Sequence, residues 1–127
     1  MTTVLDASAI LANLRGETGG DRAADIITSG GVVSSVNLSE VIAEVVELGA
    51  SEEQVEAIVT RFAHCSKPFD LDQAVDAGRL RAATRGAGLS LGDRACLALA
   101  RTLDAPVLTA DRAWANLDLG LDIEVIR

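Results

Sequence analysis

The amino-terminal stretch of the chain, residues 2–14, reads TTVLDASAILANL. Its first four residues, 2–5, are β-branched or apolar and predict a short buried strand. Residues 7–14 predict a helix that follows directly, with Asp6 at the junction. A buried strand that passes at once into a helix is typical of an α/β fold with a parallel sheet.

The rest of the chain repeats this alternation. Further strands are predicted over residues 32–36, 106–109 and 123–126, and residues 67–69 predict a short extended link between helices. Helices or helical turns are predicted over residues 21–28, 38–48, 51–64, 71–85, 91–103 and 112–117. The pattern therefore predicts one α/β domain, residues 1–127, with a central, mainly parallel sheet flanked by helices.

Composition and charge exclude several classes of protein. The chain has 127 residues, of which 49% are hydrophobic and 24% charged, so a disordered or collagen-like protein is excluded. It contains no apolar run approaching the roughly 18 residues of a membrane helix and no signal-peptide pattern at its start, so we expect a soluble, cytoplasmic protein. The two cysteines and the lone His64 match no metal spacing and no catalytic triad. The net charge of −8 disfavours nucleic-acid binding unless several acids hold divalent cations.

Four acidic residues share a distinctive position relative to the predicted elements. Asp6 ends the first strand, and Asp111 follows the strand over residues 106–109. Glu40 and Asp93 lie in the first turns of predicted helices. Because the carboxyl ends of parallel strands meet at one edge of a sheet, we expect these side chains to converge there. Taken singly, each acid also suits a helix cap or a turn, since Asn37 with Glu40 and Ser90 with Asp93 both approximate a capping box.

The surroundings of these acids favour a shared metal site. Asp6 and Asp93 lie within apolar or small-residue segments, where neighbouring carboxylates are costly to ionise without a cation. Oxygen ligands without histidine or cysteine select Mg²⁺ or Mn²⁺. The chemistry that follows is metal-assisted hydrolysis of phosphodiesters. Ser8, Thr109 and Asn116 are candidates for an outer shell around the metal, although each also suits a turn or cap.

At these residues the sequence resembles the PIN-domain family, and specifically VapC-type ribonuclease toxins of type II toxin–antitoxin systems. The matching segments are VLDASAIL (4–11), VNLSEV (36–41), GLSLGDRACLALA (88–100) and VLTADRAW (107–114). They carry the four acids in the family's order, and the resemblance extends over the whole chain. It implies a PIN-like fold and Mg²⁺-dependent endoribonuclease activity.

The resemblance also assigns roles to the four acids, which together would form the catalytic site. It implies that Asp6 and Asp93 are direct metal ligands, and that Glu40 and Asp111 complete the pocket directly or through water. It further implies a homodimer, a VapB-type antitoxin as the protein partner, and RNA as the substrate.

Substrate contacts and two other functional classes remain open at this level. Arg94 and Arg112 each follow a predicted site acid and are candidates for RNA phosphates, with an ion pair to the neighbouring acids as the alternative. A receiver-type phosphoacceptor domain is a second interpretation, but Lys67 lies between helices rather than after a late strand. A non-catalytic, partner-binding α/β module, with the acids serving only as caps, is the third.

Overall fold

The computed structural model describes residues 2–127 and is built around a five-stranded parallel sheet. Its strands are β1 (Thr3–Leu5), β2 (Gly31–Ser34), β3 (Ser66–Lys67), β4 (Val107–Thr109) and β5 (Ile123–Val125). They are arranged in the order β3-β2-β1-β4-β5, and every neighbouring pair is parallel. The chain thus extends the sheet to one side of β1 and later to the other. The reversal lies between β1 and β4, the position at which open α/β sheets bind ligands outside the strand carboxyl ends.

Helices cover the sheet, which confirms the predicted α/β class and single domain. They are α1 (Ala7–Leu14), α2 (Gly20–Ser29), α3 (Ser35–Glu47), α4 (Glu52–Phe62), α5 (Leu71–Thr84) and α6 (Leu91–Leu103). Short 3₁₀ helices span Arg85–Ala87 and Arg112–Asn116. Within residues 2–127, no helix is both long enough and apolar enough to cross a membrane.

The structure corrects the prediction at the end of β2. The strand expected over residues 32–36 ends at Ser34, and Val36 already lies in α3. Ser34 is the N-cap of that helix, and its hydroxyl accepts a hydrogen bond from the Val36 backbone N–H at 3.2 Å. This cap outweighs the strand preference of β-branched valine. The helix therefore begins before the predicted residue 38, which moves Glu40 from the first turn into the second.

A second correction concerns the predicted link over residues 67–69. Ser66 and Lys67 form β3, an edge strand that pairs in parallel with β2. The Val33 N–H donates to the Cys65 carbonyl at 3.1 Å just before this pairing. A strand of two residues is too short to show the alternation of buried and exposed side chains that marks a strand, so the sequence does not predict it.

The core packs most tightly around β1, β4 and α6. Val4 and Leu5 on β1 have no exposed surface, and neither do Val107 and Leu108 on β4. The core is mainly aliphatic, but Trp114 is also fully buried against it. Such burial fixes the carboxyl ends of β1 and β4, and therefore the side chains that follow them.

Candidate active site

Asp6 follows β1, at the point in the sheet where the order of the strands reverses. Its backbone N–H donates to Leu108 O at 2.9 Å, which extends the pairing of β1 with β4 to this residue. The side chain is only 4% exposed. Burial raises its pKa from 3.8 to about 6, against the lowering effect of hydrogen bonds from Ser8 and Thr109, and the charge of Asp93 adds to the increase.

Two hydroxyls orient the Asp6 carboxylate. Ser8 Oγ donates to Asp6 Oδ2 at 2.6 Å, and Thr109 Oγ1 donates to the same oxygen at 2.9 Å. Each hydroxyl in turn accepts a backbone N–H, Ser8 from Ala110 at 2.9 Å and Thr109 from Asp111 at 3.1 Å. Because those N–H groups occupy acceptor positions, the single proton of each hydroxyl is directed to Asp6. The structure thus brings two of the three predicted outer residues, Ser8 and Thr109, to the aspartate.

Asp93 lies in the first turn of α6, where it closes a capping box. Its Oδ2 accepts from the Ser90 backbone N–H at 2.9 Å, while Ser90 Oγ accepts from the Asp93 N–H at 3.2 Å. The capping interpretation is therefore correct for this residue. The side chain is half-buried, and no side chain among residues 2–127 donates to its other oxygen.

Glu40 reaches the same region from the second turn of α3. The amide of Asn37 donates from Nδ2 to Glu40 Oε1 at 2.8 Å and to the Gly92 carbonyl at 2.9 Å. The Glu40 carboxylate lies directly against Gly92, since a Cβ built on that glycine would be 2.5 Å from Glu40 Cδ. Sequence reasoning interpreted Asn37 as part of a capping box, and it missed the role of Gly92.

The charges of three of the acids act on the thiol of Cys96. Cys96 is fully buried, and burial is the main reason its pKa lies well above the ordinary value. The negative charges of Asp6, Asp93 and Glu40 raise that pKa further. The carboxylates delivered by β1, α3 and α6 therefore lie close enough to this thiol for their charges to act on it.

Asp111 stands apart from these three acids. It follows β4, is exposed, and caps the 3₁₀ helix that follows by accepting from the Ala113 N–H at 3.0 Å. Within residues 2–127, no hydrogen bond links its carboxylate to the other acids. It lines a cavity of about 500 Å³ together with Ser8, Arg112 and Arg127. Asp111 is thus connected to Asp6 through the Thr109 hydroxyl and the rim of this cavity.

The remaining predicted residues lie at different distances from this centre. Arg94 is half-buried and donates from Nη1 to the Ala77 carbonyl at 2.9 Å, so its guanidinium packs against α5. Arg112 is exposed and donates from Nε to the Arg127 carbonyl at 3.0 Å. Asn116 is exposed in a separate groove that it shares with Ala83 on α5. The structure therefore does not bring Asn116 to Asp6.

The donor set fits a hard divalent cation. Within residues 2–127 no three acidic, histidine or cysteine side chains are arranged to hold a metal ion as they stand. Yet the side-chain or capping bonds to Asp6, Glu40 and Asp93 each engage a single carboxylate oxygen. Carboxylate oxygens are the ligands that Mg²⁺ and Mn²⁺ prefer. A cation would offset the cost of ionising buried Asp6 near half-buried Asp93 and exposed Glu40.

Comparisons with known proteins agree with this architecture. The family described as PIN domain matches residues 3–119. The chain is similar to a DNA-bound VapBC from Salmonella typhimurium, with 22% identity, a TM-score of 0.75, and coverage of 100% of this chain and 99% of that one. It is also similar to a toxin–antitoxin complex from Klebsiella pneumoniae, with 16% identity, a TM-score of 0.74 and 98% of each chain covered.

VapBC-5 from Mycobacterium tuberculosis, a member of the VapBC family of toxin–antitoxin systems, is a further similar structure. Its identity is 25%, its TM-score 0.61, and the match covers 99% of this chain and 98% of that one. Comparison with curated proteins finds no match. At these identities the structural similarity shows the fold.

Proposed function

Because this chain belongs to the PIN-domain family, we propose that it is a metal-dependent endoribonuclease and the toxin of a type II toxin–antitoxin pair. The observation that carries this proposal is that Asp6 is buried at the carboxyl edge of the sheet between β1 and β4. The charge of Asp93 acts on Asp6 there, and the Glu40 carboxylate lies against Gly92, the residue before Asp93. Three acids from three separate elements, in a partly apolar setting, are difficult to explain by capping alone.

In this proposal the acids have distinct tasks. Asp6 and Asp93 would hold Mg²⁺ or Mn²⁺ directly, and Glu40 and Asp111 would complete the pocket, directly or through water. When bound, such a cation activates water for attack and offsets the negative charge that builds on the phosphate. Ser8 and Thr109 keep the Asp6 carboxylate in one orientation, with hydrogen bonds of 2.6 and 2.9 Å.

The substrate would approach across the cavity beside Ser8. Arg112 lines that cavity and is exposed, so it is the better placed of the two predicted arginines for a phosphate. The guanidinium of Arg94, by contrast, already contacts the Ala77 carbonyl at 2.9 Å. We assign RNA rather than DNA as the substrate on the family resemblance.

The similar structures support the partner assignment. Those from Salmonella typhimurium, Klebsiella pneumoniae and Mycobacterium tuberculosis are named as VapBC or toxin–antitoxin proteins. We therefore propose a VapB-type antitoxin as the partner of this chain, together with a homodimeric assembly. Growth arrest on expression, relieved by co-expression of the product of the adjacent gene, is the expected result. Growth arrest that no adjacent product relieves would contradict the toxin–antitoxin assignment.

The activity is tested by comparing wild type with Asp6→Asn and Asp93→Asn on a structured RNA, with Mg²⁺ and with EDTA. Both substitutions preserve side-chain size, and asparagine at position 93 keeps an acceptor for the cap. We expect each to lower cleavage by about 100-fold or more, since even outer-shell changes typically cost about 10–100-fold. Glu56→Gln, at an exposed position on α4, is the matched control and should cleave normally. Equal cleavage by all variants, or cleavage that persists in EDTA, would overturn the mechanism.

One observation favours the non-catalytic alternative. Asp93 and Asp111 both serve as caps, as that interpretation requires. The same RNA assay distinguishes the two proposals, as does thermal unfolding with and without Mn²⁺, because a bound cation must stabilise the folded state. The receiver-type interpretation is disfavoured by Lys67, which lies on β3 and is separated from β1 by β2.

A further inference from the structure

The side chain of Asn37 is an unusual feature of the region behind the acids. It has no exposed surface, although it is a polar amide in the middle of a packed helix interface. Its Oδ1 has no hydrogen-bond partner within residues 2–127, so the amide is buried at a net cost in free energy. An apolar residue of similar size would avoid that cost. The reason for an amide at this position must therefore lie in the hydrogen bonds that its NH₂ group donates.

Both donors of Asn37 are in use, and their acceptors determine which way the amide is oriented. Nδ2 lies 2.8 Å from Glu40 Oε1 and 2.9 Å from the Gly92 carbonyl. A carboxylate and a carbonyl are acceptors only, so the NH₂ group must face them and the oxygen must point away. The amide thus connects α3 to α6 and fixes one oxygen of the Glu40 carboxylate.

Gly92 also contacts the Glu40 carboxylate. It lies in the first turn of α6, and a Cβ at this position would be 2.5 Å from Glu40 Cδ. Any larger residue would therefore displace the Glu40 carboxylate. Asn37 donates a hydrogen bond to this carboxylate, and the missing side chain of Gly92 makes room for it.

We propose that Asn37 is a positioning residue which, with Gly92, holds the Glu40 carboxylate in place for metal binding. This inference rests on the proposed function and adds a residue to it. Asn37 does not contact the metal or the substrate. It acts through Glu40, because a carboxylate fixed before the cation arrives loses less conformational freedom on binding.

The test measures the Mn²⁺ concentration that gives half of the maximal thermal stabilisation, and separately half of the maximal RNA cleavage. We expect Asn37→Ala to raise both midpoints by about 10-fold, within the range typical of groups that orient metal ligands. Gly92→Ala should raise them similarly, because it displaces the same carboxylate. In a Glu40→Gln background, Asn37→Ala should change the midpoint by less than about 2-fold, since coupled residues are not additive.

Gln73 provides the matched control. It is another buried amide with an unpartnered oxygen, and it donates from Nε2 to the Pro68 carbonyl at 3.3 Å. Gln73→Ala should lower the stability of the metal-free protein and leave both Mn²⁺ midpoints unchanged. Midpoints that Asn37→Ala leaves unchanged, or raises equally with and without Glu40, would overturn the positioning role alone. A wild-type protein that shows neither Mn²⁺ stabilisation nor cleavage would refute the proposed function and the positioning role together.

Discussion

Replacing Asp6 with asparagine should stabilise the metal-free protein while abolishing its activity. The Asp6 carboxyl is 4% exposed, and burial raises its pKa from 3.8 to about 6. Asparagine is almost the same size and its oxygen still accepts the hydroxyls of Ser8 and Thr109. It never becomes ionised, so the cost of burying a charge disappears.

The size of this stabilisation and its pH dependence follow from the pKa of Asp6, which is about 6 in the folded chain and 3.8 in its ordinary state. Below about pH 3 the carboxyl is protonated in both the folded and unfolded chains, so its ionisation has no effect on stability. As the pH rises towards 6, the unfolded chain ionises first, and the wild-type free energy of unfolding falls. Above about pH 6 the full loss is present, and the interval from 3.8 to about 6 corresponds to about 3 kcal/mol. Asp6→Asn should therefore gain about 3 kcal/mol at pH 7.5 and less than about 1 kcal/mol at pH 4.

Chemical denaturation in EDTA at pH 4, 5, 6 and 7.5 measures this gain, with Glu56→Gln as the exposed control. For a domain of this size the gain at pH 7.5 corresponds to a rise in Tm of about 10 °C. Addition of Mn²⁺ should narrow the difference, because it stabilises the wild-type protein more than the variant. An Asp6→Asn protein less stable than wild type at pH 7.5 in EDTA, or a gain that is equal at pH 4 and pH 7.5, would refute this reasoning.

Three further substitutions test the fold around the site. Ser90→Ala removes the hydroxyl that caps α6 and should cost about 1 kcal/mol in urea denaturation, and a loss below the error of the measurement would contradict the capping role. Phe62→Ala empties a fully buried position and should lower the free energy of unfolding by about 3–5 kcal/mol in the same measurement. A loss below about 1 kcal/mol would show that the surroundings of Phe62 are not tightly packed. Gly78→Ala adds a Cβ with no atom within 4 Å in the exposed middle of α5, so the Tm measured by calorimetry should rise with a gain of about 0.5–1 kcal/mol, and destabilisation would indicate an unrecognised contact.

The parts of the fold that the sequence predicts correctly are those with a strong local signal. Residues 2–14 predict β1 and α1 because an apolar strand and a helical pattern meet there without a loop. The helix predicted over residues 51–64 likewise matches α4, whose start is closed by a capping box of Ser51 and Gln54 with both hydrogen bonds present. By contrast, β3 is only two residues long, and its pairing with β2 depends on backbone contacts that leave no side-chain pattern.

The support of Glu40 shows why part of the site escapes prediction. The first-turn position expected for this residue depends on where α3 begins, and the Ser34 cap moves that boundary. Once the helix starts earlier, Asn37 is the third residue of α3 rather than its cap, and its side chain is buried. Its second acceptor, Gly92, is distant in the sequence and reaches it only through the packing of α3 on α6. Contacts of this kind arise from tertiary structure, so no local spacing reports them.

Asp93 shows that the two interpretations of the acids are physically compatible. Capping requires one acceptor, and the hydrogen bond from the Ser90 N–H uses only Oδ2. A carboxylate has a second oxygen, which can bind a cation while the first stays at the cap. The cap also restrains the rotation of the side chain, so the free oxygen is already directed before a metal arrives. A capping pattern in the sequence is therefore no argument against a ligand role. What distinguishes this region from an ordinary helix start is the burial of Asp6 beside the charge of Asp93.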